Sequence, residues 1–184
     1  TKKENQLVAF RREHIGFIFQ AYNLLPTLNA IENVALPLTF QGVNKKTRTK
    51  RAVELLKLVG LSSHIKHKPT QMTGGQQQRV GMARALVVEP EIIFADEPTG
   101  NLDSVTSEEM MQLMRRVVYE QKQTLVMVTH DDHLAGYADR IIRIRDGKVI
   151  SITEKTEEER REMAESLRAK AQEKKEKVRG EQKG

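Results

Sequence analysis

Two short stretches, "EIIFAD" (91–96) and "TLVMVTH" (124–130), constrain this chain more than any other feature. Each is apolar at successive residues with no polar face, and a helix-period segment, "SEEMMQLMRRVVYEQ" (107–121), separates them. Strands of this kind ask for cover on both sides, and two of them joined through a helix describe a parallel sheet with helices over both faces. In such sheets chemistry gathers at the carboxyl ends of the strands. Asp96, Glu97 and His130 all fall at such ends.

The remainder of the chain can be fitted around that sheet. After a charged lead-in, "HIGFIFQ" (14–20) reads as a further short buried strand ending at Gln20. Residues 21–38 read as a loop and then a short helix, with Asn29 as its cap and Pro37 as its stop. From 47 to 59 the pattern places Ala52, Leu55, Leu56 and Val59 on one helical face, with Gly60 as the C-terminal cap. These pieces form a helical subdomain over about 21–88, and 89–152 carries the core strands. A short helix is expected over 131–138, and "RIIRIRDGKVI" (140–150) reads as a hairpin turning at Asp146-Gly147. Residues 153–184, rich in Glu, Lys, Arg and Ala, are expected as an exposed, fraying helix or a disordered tail, with Met163 and Leu167 as a thin apolar stripe.

Composition narrows the function. At 184 residues and 38% hydrophobic content the chain can build one domain with a substantial core. It has no cysteine, which excludes disulfides and zinc–thiolate sites. No run of about 18 apolar residues is present, so no segment spans a membrane as a helix. The net charge of +6 comes from basic residues interleaved with acids, which fits solvated faces better than a nucleic-acid patch. The chain begins at Thr1, which is expected of a processed or partial sequence.

Three sets of residues could carry chemistry. Asp96 and Glu97 close an apolar strand, where desolvation makes paired carboxylates costly unless a cation or partner is present. Magnesium is the natural candidate, with Asp96 serving the metal through water and Glu97 orienting or deprotonating an attacking water. A strand end with solvated acids has the same spelling. In "QMTGGQQQRVGMARAL" (71–86), Gly74 and Gly75 stand where the chain turns into a helix, beside the hydroxyl of Thr73. Exposed N–H groups and the positive end of the helix dipole make that a site for an anion, although a helix start capped by Thr73 explains the residues as well. His130 and Gln20 carry little information in isolation.

Order and spacing carry more. Gln20 after an apolar strand, a helical insertion, "TGGQQ" at a helix start, "IIFADE", "NLD" and a strand ending in "THD" together resemble the second half of an ABC-type ATPase, over roughly residues 8–150. In the terms of that family Gln20 matches the Q-loop, "TGGQQ" the signature, "IIFADE" the Walker B strand, "NLD" the D-loop and His130 the switch histidine. The wording "ADEPTGNLDS" is most similar to the branch serving lipoprotein release and the export of macrolides and antimicrobial peptides.

The resemblance implies a P-loop NTPase-like α/β fold and a cassette that binds and hydrolyses ATP with Mg2+ on the cytoplasmic face of the cell membrane. Its partners would be transmembrane permease subunits and a second ATPase subunit, dimerised head to tail, with no nucleic acid. It implies that Thr73, Gly74, Gly75 and Gln76 contact the γ-phosphate of the partner's ATP. Asp96 and Gln20 would hold magnesium and its waters, Glu97 would act on the attacking water, and His130 would steady the γ-phosphate. Asp103 would couple the two sites. The region around "AYNLLPTL" would meet the membrane subunits.

Two departures accompany the resemblance. Thr73 stands where the family usually has serine and keeps the hydroxyl. No G-x-x-x-x-G-K-[ST] occurs anywhere in the chain, so the P-loop and the first strands of the sheet would lie upstream of Thr1. The 184-residue chain alone is therefore expected to be poorly stable and unable to hydrolyse ATP. Two further readings share these motifs: a module supplying only the signature face to a complete partner, and a non-transport ABC protein acting on DNA or ribosomes.

Overall fold

The computed structural model describes residues 4–162 together with 165, 166 and 169. They fall into two compact units, Thr1–His130 and Asp131–Gly184. The first holds a three-stranded parallel sheet of β1 (Ile15–Phe19), β2 (Ile92–Asp96) and β3 (Thr124–Val128), in that order. The two strands expected around Asp96 and His130 are therefore neighbours, and β1 lies on the other side of β2. The register sets Phe19, Asp96 and Val128 side by side at the carboxyl edge. The charged lead-in is helical, α1 (Glu4–His14).

One face of the sheet is covered and the other is not. Ile18, Ile93 and Ala95 are buried, whereas Phe17, Phe19, Phe94, Val126 and Val128 on the opposite face are exposed, Val128 by 61%. The three phenylalanine rings stack on one another at centroid distances of 5.8 Å (Phe17 and Phe19) and 5.7 Å (Phe17 and Phe94). The expectation of a sheet covered on both faces is corrected here. Apolar strands state a demand for cover, and among the described residues helices meet that demand on one face only.

Helices α2 (Ala30–Phe40), α3 (Lys45–Leu58), α4 (Gly74–Leu86) and α5 (Ser104–Glu120) complete the first unit. α4 packs against β1, α2, α3 and α5. Asn29 caps α2 through a reciprocal capping box with Glu32, as the sequence predicts. Pro37 does not stop it. The helix runs three residues further, Gln41 donates its N–H to the Pro37 carbonyl at 3.2 Å, and the buried side chains of Val34, Ala35 and Leu38 hold the segment helical across the proline. A proline removes one ladder bond and crowds the preceding turn, and here tertiary packing outweighs that loss.

α3 ends as expected at Gly60, whose φ of +81° lets its N–H reach Lys57 and that of Leu61 reach Leu56. α5 begins at Ser104, three residues before the expected start, because Asp103 caps it. A fully buried Asn33 on α2 accepts from the N–H of Leu25 and donates to the carbonyls of Leu25, Leu28 and Asn29, which fixes the loop after β1.

In the second unit α6 (Asp132–Ala135) is shorter than the expected 131–138. β4 (Arg140–Arg145) and β5 (Lys148–Glu154) form the expected antiparallel hairpin, with Asp146 and Gly147 at φ of +50° and +71° in the turn. β5 reaches Glu154, beyond the boundary expected at 152. Residues 157–162 are helical. Met163 and Leu167 lie outside the described residues.

A single close approach sets the distance between α4 and the sheet. A Cβ on Gly16 would lie 2.5 Å from the carbonyl oxygen of Ala85, which belongs to α4's backbone and cannot step aside as a side chain would. Gly16→Ala is therefore expected to cost about 1–3 kcal/mol, the usual toll of overpacking. Urea denaturation should show a lowered midpoint; an unchanged midpoint would mean that α4 and β1 separate freely.

Candidate functional site

The glycine pair sits where the sequence places it, at the first two positions of α4, with Thr73 as the cap. The Thr73 hydroxyl accepts from the N–H of Gln76 at 3.3 Å, and Gln76 Oε1 accepts from the N–H of Thr73 at 3.1 Å. The N–H groups of Gly74 and Gly75 belong to the first turn, where no carbonyl of the helix itself can reach them. Packing explains why both are glycine. A Cβ on Gly74 would lie 2.8 Å from the Tyr22 hydroxyl, and one on Gly75 would lie 2.6 Å from Thr106 Cγ2. The helix start is thus wedged between the loop that follows β1 and the first turn of α5.

That loop is held from α4. Arg84 donates through Nη2 to the Tyr22 carbonyl at 2.8 Å and through Nη1 to the Asn23 carbonyl. Tyr22 and Asn23 both have positive φ, 59° and 49°, so the guanidinium secures backbone that would otherwise relax. Gln20, just beyond β1, lies against Gly100: a Cβ there would meet Gln20 Nε2 at 2.6 Å. Asn101 Nδ2 donates to the Gln20 carbonyl at 2.9 Å, with the Gln20 amide 3.5 Å from Asn101 Oδ1. The strand-end glutamine and the turn after β2 therefore read each other directly.

Asp96 is exposed at the end of β2. Glu97 is not a solvated neighbour of it. Its backbone is left-handed, φ +42°, and its N–H bonds to the Val128 carbonyl at 3.0 Å. Its Oε1 lies 2.7 Å from His130 Nδ1 and accepts from the His130 N–H at 2.9 Å, while Oε2 accepts from the Thr129 hydroxyl at 3.2 Å. Burial pushes this carboxyl up, but the hydrogen bonds from His130 and Thr129 outweigh it and hold the group below the usual carboxylate range. Of the two ways the sequence left for such a pair, a cation or a partner, Glu97 takes the second, with His130 and Thr129 as its partners within the protein. His130 reaches it with a side chain that is 86% exposed.

Asp103 caps α5 by accepting from the Thr106 N–H at 2.9 Å and the Thr106 hydroxyl at 2.6 Å. Those two bonds hold its carboxyl below the ordinary value. Thr106 is also the residue that meets Gly75, so Asp103 and the glycine pair share a contact. Gln78, fully buried on α4, donates to the Pro98 carbonyl, which ties the same helix to the turn after Glu97.

The nine residues picked from sequence thus lie on three strand ends and two helix starts, joined through residues the sequence reading missed: Tyr22, Gln78, Arg84, Asn101 and Thr106. A signal for Gln78 was available, since it is a polar residue among the buried, otherwise apolar side chains of the α4 helix. Among the described residues no group of three or more His, Cys, Asp or Glu could hold a metal. The oxygens of Asp96 and Gln20 are a hard, sparse donor set of the kind that suits magnesium, which keeps several waters and takes phosphate oxygens as ligands.

The family model described as ABC transporter matches residues 2–100. The chain is 51% identical over 149 residues to an uncharacterized ABC transporter ATP-binding protein of Thermotoga maritima, a match covering 81% of this chain and 63% of that one. It is 51% identical over 154 residues to the macrolide export ATP-binding/permease protein MacB of Neisseria gonorrhoeae, covering 84% of this chain and 24% of that one. The chain therefore spans less than two thirds of the length of these curated relatives. Among solved structures, the ATP-binding cassette MJ0796, in a dimeric post-hydrolysis state bound to ADP and Pi, superposes with a TM-score of 0.72 at 46% identity. That match covers 83% of this chain and 68% of the other. Since the family model matches more than half of the chain, and the sequence and structure matches each cover about four fifths of it, the chain belongs to the ABC transporter family.

Proposed function

We propose that this chain is part of the ATP-binding and ATP-hydrolysing subunit of an ABC transporter that powers export or extraction at the cell membrane, and carries the signature, strand-end and switch residues of that subunit. It would work in a head-to-tail dimer with a second cassette and dock on transmembrane permease subunits from the cytoplasmic face. No helix among the described residues is long and apolar enough to cross a membrane. The observation that supports this reading most is the pairing of Glu97 with His130 across the ends of β2 and β3, beside the exposed Asp96.

In this reading the chain's own residues divide the work. Thr73, Gly74, Gly75 and Gln76 offer a hydroxyl, backbone N–H groups and an amide to the γ-phosphate of the ATP held by the partner cassette. Asp96 and Gln20 would hold a magnesium ion, which when bound would neutralise phosphate charge. Glu97, a carboxylate held below the usual range by its hydrogen bonds to His130 and Thr129, orients the attacking water and accepts its proton. His130 keeps that carboxylate aimed and steadies the γ-phosphate as charge develops. Asp103 couples the two sites through Thr106, whose methyl meets Gly75.

Glu97→Gln in the full-length protein should leave ATP binding intact and cut turnover by about 100-fold or more, as expected for loss of a positioned base. A phosphate-release assay beside a nucleotide-binding titration checks this; near-normal turnover would remove Glu97 from the role. Gly75→Ala should lower turnover roughly tenfold, since relieving its clash with Thr106 displaces the start of α4. Adding Thr106→Ser, which deletes the methyl and keeps the hydroxyl for Asp103, should recover part of that loss. No recovery in the double variant would mean that Gly75 acts through something other than this contact.

A further inference from the structure

We infer that His64, in the loop between α3 and α4, is a positioning residue for the signature helix start, fixing the side chain of Gln76. The inference rests on the reading of Gln76 as a residue that faces phosphate in the assembled dimer.

The hydrogen-bond chemistry leaves one consistent arrangement. Gln76 Oε1 is occupied by the N–H of Thr73 at 3.1 Å, which fixes the amide so that its nitrogen points the other way. That nitrogen lies 3.3 Å from His64 Nε2. An amide nitrogen can only donate, so His64 Nε2 must be the unprotonated ring nitrogen. The proton then sits on Nδ1, where the Ser63 hydroxyl stands 2.9 Å away to accept it. Gln76 is in this way gripped at both ends, by the backbone of its own cap and by a ring from outside the helix.

The ring is itself placed by its surroundings. Its backbone lies in a series of turns, His64 N–H to Leu61 at 3.0 Å and His67 N–H to His64 at 3.0 Å, and the His67 ring packs on it at a centroid distance of 4.9 Å. The same loop accepts from the start of α2, Ala30 N–H to His67 at 2.9 Å and Ile31 N–H to Ile65 at 3.2 Å. The loop carrying His64 therefore joins the first turn of α4, through the His64 ring, to the first turn of α2, through Ile65 and His67, and α2 follows the region "AYNLLPTL". A glutamine side chain has three rotatable bonds, and holding it in one rotamer before phosphate arrives removes an ordering cost from the step that closes the dimer.

The experiment has a spectroscopic arm and a kinetic arm. With isotopically labelled histidine in the full-length protein, long-range proton–nitrogen spectra should show His64 as the Nδ1–H tautomer; an Nε2–H tautomer would overturn the inference. In phosphate-release assays at saturating ATP, His64→Leu should lower kcat roughly three- to tenfold, the factor carried by one neutral hydrogen bond. His64→Gln, which restores an acceptor, should return kcat close to wild type. Equal losses in both variants would overturn the inference, since they would report a role in packing. Gln76→Ala separates the two levels of the reading. If it is impaired while His64→Leu matches wild type, the positioning role fails alone. If Gln76→Ala also matches wild type, the phosphate-facing role of Gln76 fails and the inference with it.

Discussion

Helix α4 can lie where it does because no side chain intervenes at three points along it. Gly16 admits the Ala85 carbonyl, Gly74 admits the Tyr22 hydroxyl, and Gly75 admits the Thr106 methyl. Glycine in a helix costs roughly 0.5–1 kcal/mol relative to alanine through lost backbone entropy. Here that cost is set against contact with the sheet, the loop after β1 and α5. Polar pins then fix the helix in rotation: Gln78 to Pro98, Arg84 to Tyr22 and Asn23. A buried amide or guanidinium stabilises only when its partner stands in the right direction, so these bonds specify one orientation of α4 where apolar packing would tolerate several.

From that placement the rest of the candidate site follows. The loop carrying Gln20 is held against α4 by Arg84, and the turn carrying Glu97 is held against it by Gln78. The helix capped by Asp103 touches it through Thr106. A shift of α4 therefore reaches Gln20, Glu97 and Asp103 each through a neighbouring residue that α4 touches: Tyr22 and Asn23, Pro98, and Thr106.

Much of this was legible in the sequence, and what was not has a physical cause. Caps read well, because a side chain that satisfies a helix end acts within three residues of itself: Asn29, Thr73 and Gly60 are where the local pattern puts them. Pro37 read badly because its effect depends on what the helix packs against, and Val34, Ala35 and Leu38 supply that from a distance. The strands were found from their apolar runs, yet those runs could not say that Phe17, Phe19 and Phe94 would stack on an uncovered face. Glu97 was found by position, but its bonds to Thr129 and His130 cross more than thirty residues of chain, where no local rule reaches. Arg84 and Asn101 were missed because their partners are backbone carbonyls, which every residue owns and no sequence displays.

The backbone at Glu97 has a further meaning. A residue with a Cβ in the left-handed region stores on the order of 1–3 kcal/mol, and glycine would occupy the same φ of +42° without it. The position thus sets backbone comfort against the bonds a carboxylate makes: the residue best suited to the backbone could not hold His130 and Thr129, and the residue that holds them keeps the turn under tension. A screen that rewarded only thermal stability would drift toward glycine here and select a sturdier protein that had lost its carboxylate.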